Sequence, residues 1–185
     1  MIVESIHFKN KKLKVNVKNA DLKLLNTIRR YFTNKVPVLA IDKIIVYENK
    51  SSFFDEYIAH RIGLIPLSVK GKVKAENVNF TLDAEGPKTV YSHDLISSNK
   101  NVTIAVKNIP IIKLLKGQTL RIECKLKYGV GREHAKFQHG ISYYDDKSIT
   151  FEGIHDNLNE KELKLMVDKT ISTIINDLKE LNKYF

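Results

Sequence analysis

The chain has 185 residues, 43% of them hydrophobic and 28% charged, an ordinary globular balance that excludes a disordered tail protein and a length that needs no staple to bury a core. Lys and Arg number 31 against 21 Asp and Glu, a net charge of +10 that points to a polyanionic partner or an acidic assembly and says nothing about fold. Cys124 is the single cysteine, which excludes a disulfide framework, a cysteine-rich zinc site and a four-thiolate iron–sulfur site. No run approaches the roughly 18 apolar residues of a membrane span. The opening MIVESIHFKNKK carries a charge at Glu4 and has no apolar core followed by a cleavage site, so no signal peptide is expected and the expected location is cytoplasmic.

Along the chain, Asn10-Lys11-Lys12 reads as a hairpin turn. Leu13, Val15 and Val17 then alternate with Lys12, Lys14, Asn16 and Lys18 as in a half-buried strand. A helix is predicted from about Ala20 to Asn34, with Asn19 or Asp21 as its N-cap. At about 100° per residue, Leu24, Leu25, Ile28, Tyr31 and Phe32 share one face, while Lys23, Asn26, Arg29 and Arg30 lie off it. A short second helix follows, with capping-box spacing between Ser52 and Asp55 and a stop at Gly63 and Pro66.

Alternation returns at Val78, Phe80 and Leu82, at Val102, Ile104 and Val106, and over Leu120, Ile122, Cys124, Leu126 and Tyr128. Strands with one apolar face suit antiparallel sheets better than a buried parallel one. A last helix is predicted from about Asn159 to the end. Leu163, Val167, Ile171, Ile174, Leu178, Leu181 and Phe185 form its stripe, flanked by Met166, Tyr184 and Ile175. The apolar arc spans roughly 180°, more than one sheet contact requires, and the spacing from Val167 to Leu181 also fits a heptad seam. Two readings stay open: a core helix, or a helix packed on its own sheet and on another chain. Helix-rich ends around a strand-rich middle suggest an α+β fold in which one domain is interrupted by another.

Little in the sequence suggests self-contained catalysis. The histidines are His7, His60, His93, His134, His139 and His155. His134 and His139 share a loop but lack two further zinc ligands. Asp55, Glu56 and His60 could form an acid/base set, yet Asp55 and Glu56 occupy a first turn, where carboxylates favour the helix dipole. Gly129-Val130-Gly131 begins like a dinucleotide fingerprint but has His134 at the third glycine position. Strand lysines read as solubilising. Arg29-Arg30 differs, because planar guanidinium forks suit interfacial carboxylates.

The run from Asn26 to Leu67, NTIRRYFTNKVPVLAIDKIIVYENKSSFFDEYIAHRIGLIPL, resembles the D-subunit family of archaeal RNA polymerase. That family is the counterpart of the third-largest subunit of eukaryotic RNA polymerase II and of the N-terminal part of the bacterial alpha subunit. The resemblance rests on Asn26, Ile28, Arg29, Arg30, Val36-Pro37 and Ala40-Ile41-Asp42, and on the thirteen-residue run Asp55 to Leu67. The loop from Gly129 to Phe137 resembles a further family motif.

The resemblance implies a discontinuous dimerisation domain, an antiparallel sheet with two packed helices at residues 1–43 and 148–185, and an inserted, mostly β domain at 44–147. It implies a heterodimer with a small subunit L. The seam would be built from the first and last helices: Leu24, Leu25, Ile28 and Phe32 on one, Leu163, Val167, Ile171, Ile174, Leu178 and Leu181 on the other. This heterodimer would be the platform for the two large catalytic subunits and the small zinc-binding subunits N and P. Arg29, Arg30, Glu56, His60, Arg61, His134 and Lys136 become expected docking residues for the large subunits. Catalysis, magnesium and zinc would belong to other subunits, and DNA would be met only through the assembled enzyme, with no membrane involved.

The chain departs from the family pattern in two places. Some archaeal relatives insert a ferredoxin-like iron–sulfur module. One cysteine and this length leave no room for it, so no cluster is expected. His139 stands where relatives often have proline. The rival readings are a single-strand or RNA-binding protein, suggested by charge alone, and a small hydrolase using Asp55, Glu56 and His60.

Overall fold

The computed structural model describes residues 2–154 and 158–183. His155 and the expected continuation of the last helix through Tyr184 and Phe185 lie outside the described residues. The chain divides into two compact units, residues 1–38 with 130–185 and residues 39–129.

In the first unit, β1 (Ile2–Lys9) and β2 (Lys12–Lys18) form the hairpin. Asn10 and Lys11 both have positive φ, 51° and 62°, the backbone of a two-residue turn whose twist matches that of its strands. β11 (Gly140–Tyr144) and β12 (Ser148–Gly153) complete an antiparallel sheet in the order β1-β2-β12-β11. Helix α1 (Leu22–Asn34) is capped by Asp21, whose Oδ1 accepts from the Lys23 amide at 2.9 Å. Helix α3 (Glu160–Leu181) has a reciprocal box between Asn159 and Glu162.

α1 packs on β11 and on α3, while α3 also reaches β2 and β12. Leu13, Leu25, Phe32, Phe151 and Leu163 make the shared core. The Phe32 and Phe151 rings lie 4.8 Å apart. The expected boundaries put β11 in the inserted domain. Its ladder with β12, from Gly140↔Gly153 to Tyr144↔Ile149, belongs instead to the discontinuous unit, so the boundaries fall at 38/39 and 129/130 rather than 43/44 and 147/148.

The second unit is mostly strands. β3 (Val38–Asn49), β10 (Thr119–Gly129), β5 (Asn79–Glu85) and β7 (Ile96–Ser97) form one sheet in that order. β4 (Leu67–Val69) pairs with β8 (Val102–Ile104), and β6 (Lys88–Tyr91) with β9 (Pro110–Leu114). Helix α2 (Asp55–Gly63) buries Ile58 and Ile62 in a core that includes Phe80, Leu82, Leu114, Leu120 and Ile122.

Local expectations change in places, and the strand expected through Val106 ends at Ile104. The N-cap of α2 is Phe54, without a side-chain bond. Ser52 accepts from Gln118 Nε2, and the Asn49 amide holds Asp55 Oδ1 at 2.7 Å. Alternation along β10 also fails at its end: Lys127 and Tyr128 are both exposed, although the pattern puts Tyr128 inward.

Candidate interaction surfaces

The first surface is apolar and lies in the discontinuous unit. Val3, Ile6 and Phe8 sit opposite Val17, Val15 and Leu13, with the β1 register shifting between Val3 and Ser5. Paired residues point to the same side of a sheet. The bulge at Glu4 therefore keeps Val3 on the side of Ile6 despite their odd spacing. This is the side that carries the helices, yet the main helix contacts fall on β11, β12 and β2. Val3 and Ile6 stay 49% and 50% exposed. On α3, Ile171, Ile175 and Leu178 follow at i, i+4 and i+7, which places them on one helix face. Ile171 packs partly on the core, whereas Ile175, Leu178 and Leu181 are 45%, 57% and 55% exposed.

The expected seam residues divide. Leu25, Ile28, Phe32, Leu163 and Ile174 are buried in the chain's own core, and Val167 packs partly against it. This corrects the expectation that all ten residues form a partner seam. α1 and α3 pack on each other and on one sheet, and that consumes the inner half of each stripe. Leu24, Leu178 and Leu181 stay exposed, as do Val3, Ile6 and Ile175, whereas Ile171, like Val167, packs partly against the core. Sequence reading missed Val3 and Ile6 because their shared face depends on the bulge.

The second surface is polar and follows the outer side of α1. Arg29 reaches back to Asn26 Oδ1 with Nε at 3.2 Å and Nη2 at 3.0 Å. Arg30 lines an open groove of about 700 Å³ together with Thr27, Tyr31, Asn34, Lys35 and Arg132. Gly131 forms part of its floor, where an added Cβ would meet the Thr33 carbonyl oxygen at 2.2 Å. That close approach explains the glycine and sets Arg132 beside the end of α1, with its amide bonded to Asn34 O at 3.1 Å. Tyr31 Oη donates to Asp177 Oδ2, and this bond raises the tyrosine pKa above its usual value.

The other expected docking residues serve different ends. Glu56 and His60 are exposed on α2. Arg61 is tied down: Nη2 donates to the Pro110 carbonyl, Nη1 to Tyr57 Oη at 3.2 Å, and the guanidinium lies over the Tyr57 ring, which stacks on Phe53. Arg61 thus fastens α2 to β9. His134 Nδ1 accepts from the Lys136 amide at 3.1 Å and caps the 3-10 turn Ala135–Phe137. Lys136 Nζ lies 5.1 Å from the centre of the buried Phe137 ring.

Asp55, Glu56 and His60 are not joined by hydrogen bonds, and Asp55 is held by Asn49, which does not assemble an acid/base set. Among the described residues there is no group of three or more His, Cys, Asp or Glu side chains placed to hold a metal ion. Burial pushes the Cys124 thiol up to about 12. No described helix is long and apolar enough to cross a membrane.

His139 lies in a core, where no local pattern would place it. It is 3% exposed, with its ring 4.6 Å from that of Phe32 and neither ring nitrogen hydrogen-bonded. Burial, reinforced by Lys169, lowers its pKa to about 4.

Residues 39–149, more than half of the chain, match the family described as the RNA polymerase Rpb3/RpoA insert domain. The chain is 50% identical over 119 residues to DNA-directed RNA polymerase subunit Rpo3 of Methanocaldococcus jannaschii, covering 64% of this chain and 61% of that protein. It is 39% identical over 150 residues to Rpo3 of Archaeoglobus fulgidus, covering 74% and 57%. To Rpo3 of Pyrococcus furiosus it is 38% identical over 176 residues, covering 90% and 67%. The chain thus spans about six-tenths of the length of the first two relatives. It belongs to the Rpo3 family, the D-type subunits of archaeal DNA-directed RNA polymerase.

Proposed function

We propose that this chain is a non-catalytic assembly subunit of DNA-directed RNA polymerase, which pairs with the small subunit L and forms the platform for the large catalytic subunits. The observation that carries this reading is the uncovered apolar surface of Val3 and Ile6 on β1 and Ile175, Leu178 and Leu181 on α3. Burying such surface yields about 25 cal/mol per Å², and obligate interfaces are core-like and commonly exceed about 2,000 Å². A helix pair from subunit L would cover the side of the sheet that α3 leaves open. Leu24 extends the apolar contact on α1.

The groove at Arg30 and Arg132, the exposed α2 residues Glu56 and His60, and the turn at His134 and Lys136 then face the large subunits. Subunits N and P complete the platform. Arg61 acts indirectly, by holding α2 in place. Magnesium and zinc are held by other subunits. With one buried cysteine, this chain holds no iron–sulfur cluster. As an assembly subunit it works in the cytoplasm, away from membranes, and duplex DNA is held by the assembled enzyme.

The test is affinity purification of the tagged chain from its own cells in mild salt, with mass spectrometry of the co-purifying chains. Recovery of a small partner and two very large chains is expected, and the chain expressed alone should self-associate. Recovery of no polymerase subunit, with the chain alone a stable monomer, overturns the reading.

A further inference from the structure

We propose that the second unit carries a binding site for single-stranded nucleic acid, formed by the lysine loop at residues 70–74 and the exposed ring of Tyr128. This goes beyond the assembly role, which involves the other unit and α2. Lys70, Lys72 and Lys74 are exposed in one loop, whose bend is set by Gly71 at φ +74°. Two hydrogen bonds tie neighbouring segments to it. The Lys70 amide bonds to Asn101 O at 2.8 Å, which places Lys100 beside the loop. Tyr128 Oη donates to Val73 O at 3.1 Å, which ties the Tyr128 ring at the end of β10 to the same loop. Lys125 and Lys127 lie on the exposed side of the same strand.

Glu76 is the acidic residue within residues 70–79, against three lysines. Among the described residues, Lys70, Lys72, Lys74, Lys100 and Lys125 have no carboxylate partner.

The composition of the patch selects its ligand. Cores of protein–protein interfaces are enriched in aromatics, Met and Arg and depleted in Lys. This patch holds lysines with no arginine, and one exposed aromatic. Closely spaced lysines suit a phosphate backbone, where affinity comes from counterion release. Tyr128 supplies the second element. Its hydroxyl is fixed on Val73, between Lys72 and Lys74 in sequence, while the residue is 41% exposed, the pairing of a positive surface with a stacking ring that single strands use. The burial of Tyr128 that strand alternation requires is given up at this one position.

The test uses the full chain and a fluorescein-labelled single-stranded DNA of about 20 nucleotides, with anisotropy titrations between about 50 and 200 mM salt. The wild type should bind with a log–log salt slope of about −3 to −4, as for five or so phosphate contacts. The triple variant K70Q/K72Q/K74Q should reduce the slope by about 2 and weaken binding about tenfold or more at low salt. K70R/K72R/K74R should keep the slope. Tyr128→Leu should weaken binding about fivefold or more with the slope unchanged.

An unchanged slope in the glutamine variant overturns the proposal. So does equal affinity for duplex DNA, or for polyglutamate, which would make an acidic protein the partner. Thermal melting of each variant separates unfolding from lost binding. Co-purification with subunit L, read in parallel, fails only if the assembly role fails.

Discussion

Tyr31 and Asp177, 146 positions apart, meet through a 2.9 Å hydrogen bond from the tyrosine hydroxyl to Oδ2 of the aspartate. Lys35 Nζ approaches the same oxygen at 3.5 Å. The bond joins the first helix to the last and so ties together the two chain segments of the discontinuous unit. Tyr31→Phe keeps the ring and removes the bond, and Lys35 retains contact with the carboxylate. The variant should lose about 0.5–1.5 kcal/mol of stability. Urea unfolding measures it, and an unchanged midpoint would show that the bond adds nothing net.

His139 makes the stability of the discontinuous unit depend on pH. Its folded pKa of about 4 lies below the ordinary 6.5, so between those values the unfolded chain binds more protons than the folded one. Stability is therefore full above about pH 6.5 and falls as pH drops towards 4. The loss is on the order of 2–3 kcal/mol. His139→Leu removes the titration and two unpaired ring nitrogens. Melting curves at several pH values should show a flatter acid limb and no loss at neutral pH. An identical acid limb in the variant would assign the sensitivity to other groups.

Core and partner surface separate by mutation. Leu25 is fully buried beside Phe32 and Leu163, and Leu25→Ala should cost about 2–5 kcal/mol. Leu178 is 57% exposed, so Leu178→Asp should alter the stability of the lone chain by only about 0.5 kcal/mol, yet block pairing with subunit L by placing a charge in the seam. Co-expression and size-exclusion chromatography read the second effect. A normal heterodimer with Leu178→Asp would move the seam elsewhere.

Arg30 and Arg132 line the groove beside α1. Arg30→Glu reverses one charge on an open groove wall, so folding and heterodimer formation should be unaltered while recruitment of the large subunits weakens about tenfold or more. Quantitative pull-down of the large chains against subunit L checks this. Loss of subunit L instead would place Arg30 in the heterodimer seam.

Several elements were legible from the residues alone. Period-two alternation marked β2 and most of β10, the 3.6 period marked α1 and α3, and Asn159 marked the start of α3, while the start of α1 was narrowed to Asn19 or Asp21, of which Asp21 is the cap. These are local signals: caps, turns and amphipathic faces depend on neighbours within about four residues. The family also followed from contiguous residues, in the run from Asp55 to Leu67.

How each apolar face is used became visible only in the folded chain. The stripes of α1 and α3 have the same composition whether they meet each other or another chain. It takes their mutual packing to put Leu25, Phe32 and Leu163 inside and leave Leu178 and Leu181 outside. A bulge at Glu4 turns Val3 to the side of Ile6. The same limit explains Arg61, which reads as a docking cation until the Pro110 carbonyl lies against it. It also explains His139, which reads as a loop residue until Phe32 packs on its ring. In each case the partner is distant in the chain, and the deciding energy is burial or a hydrogen bond that local spacing does not encode.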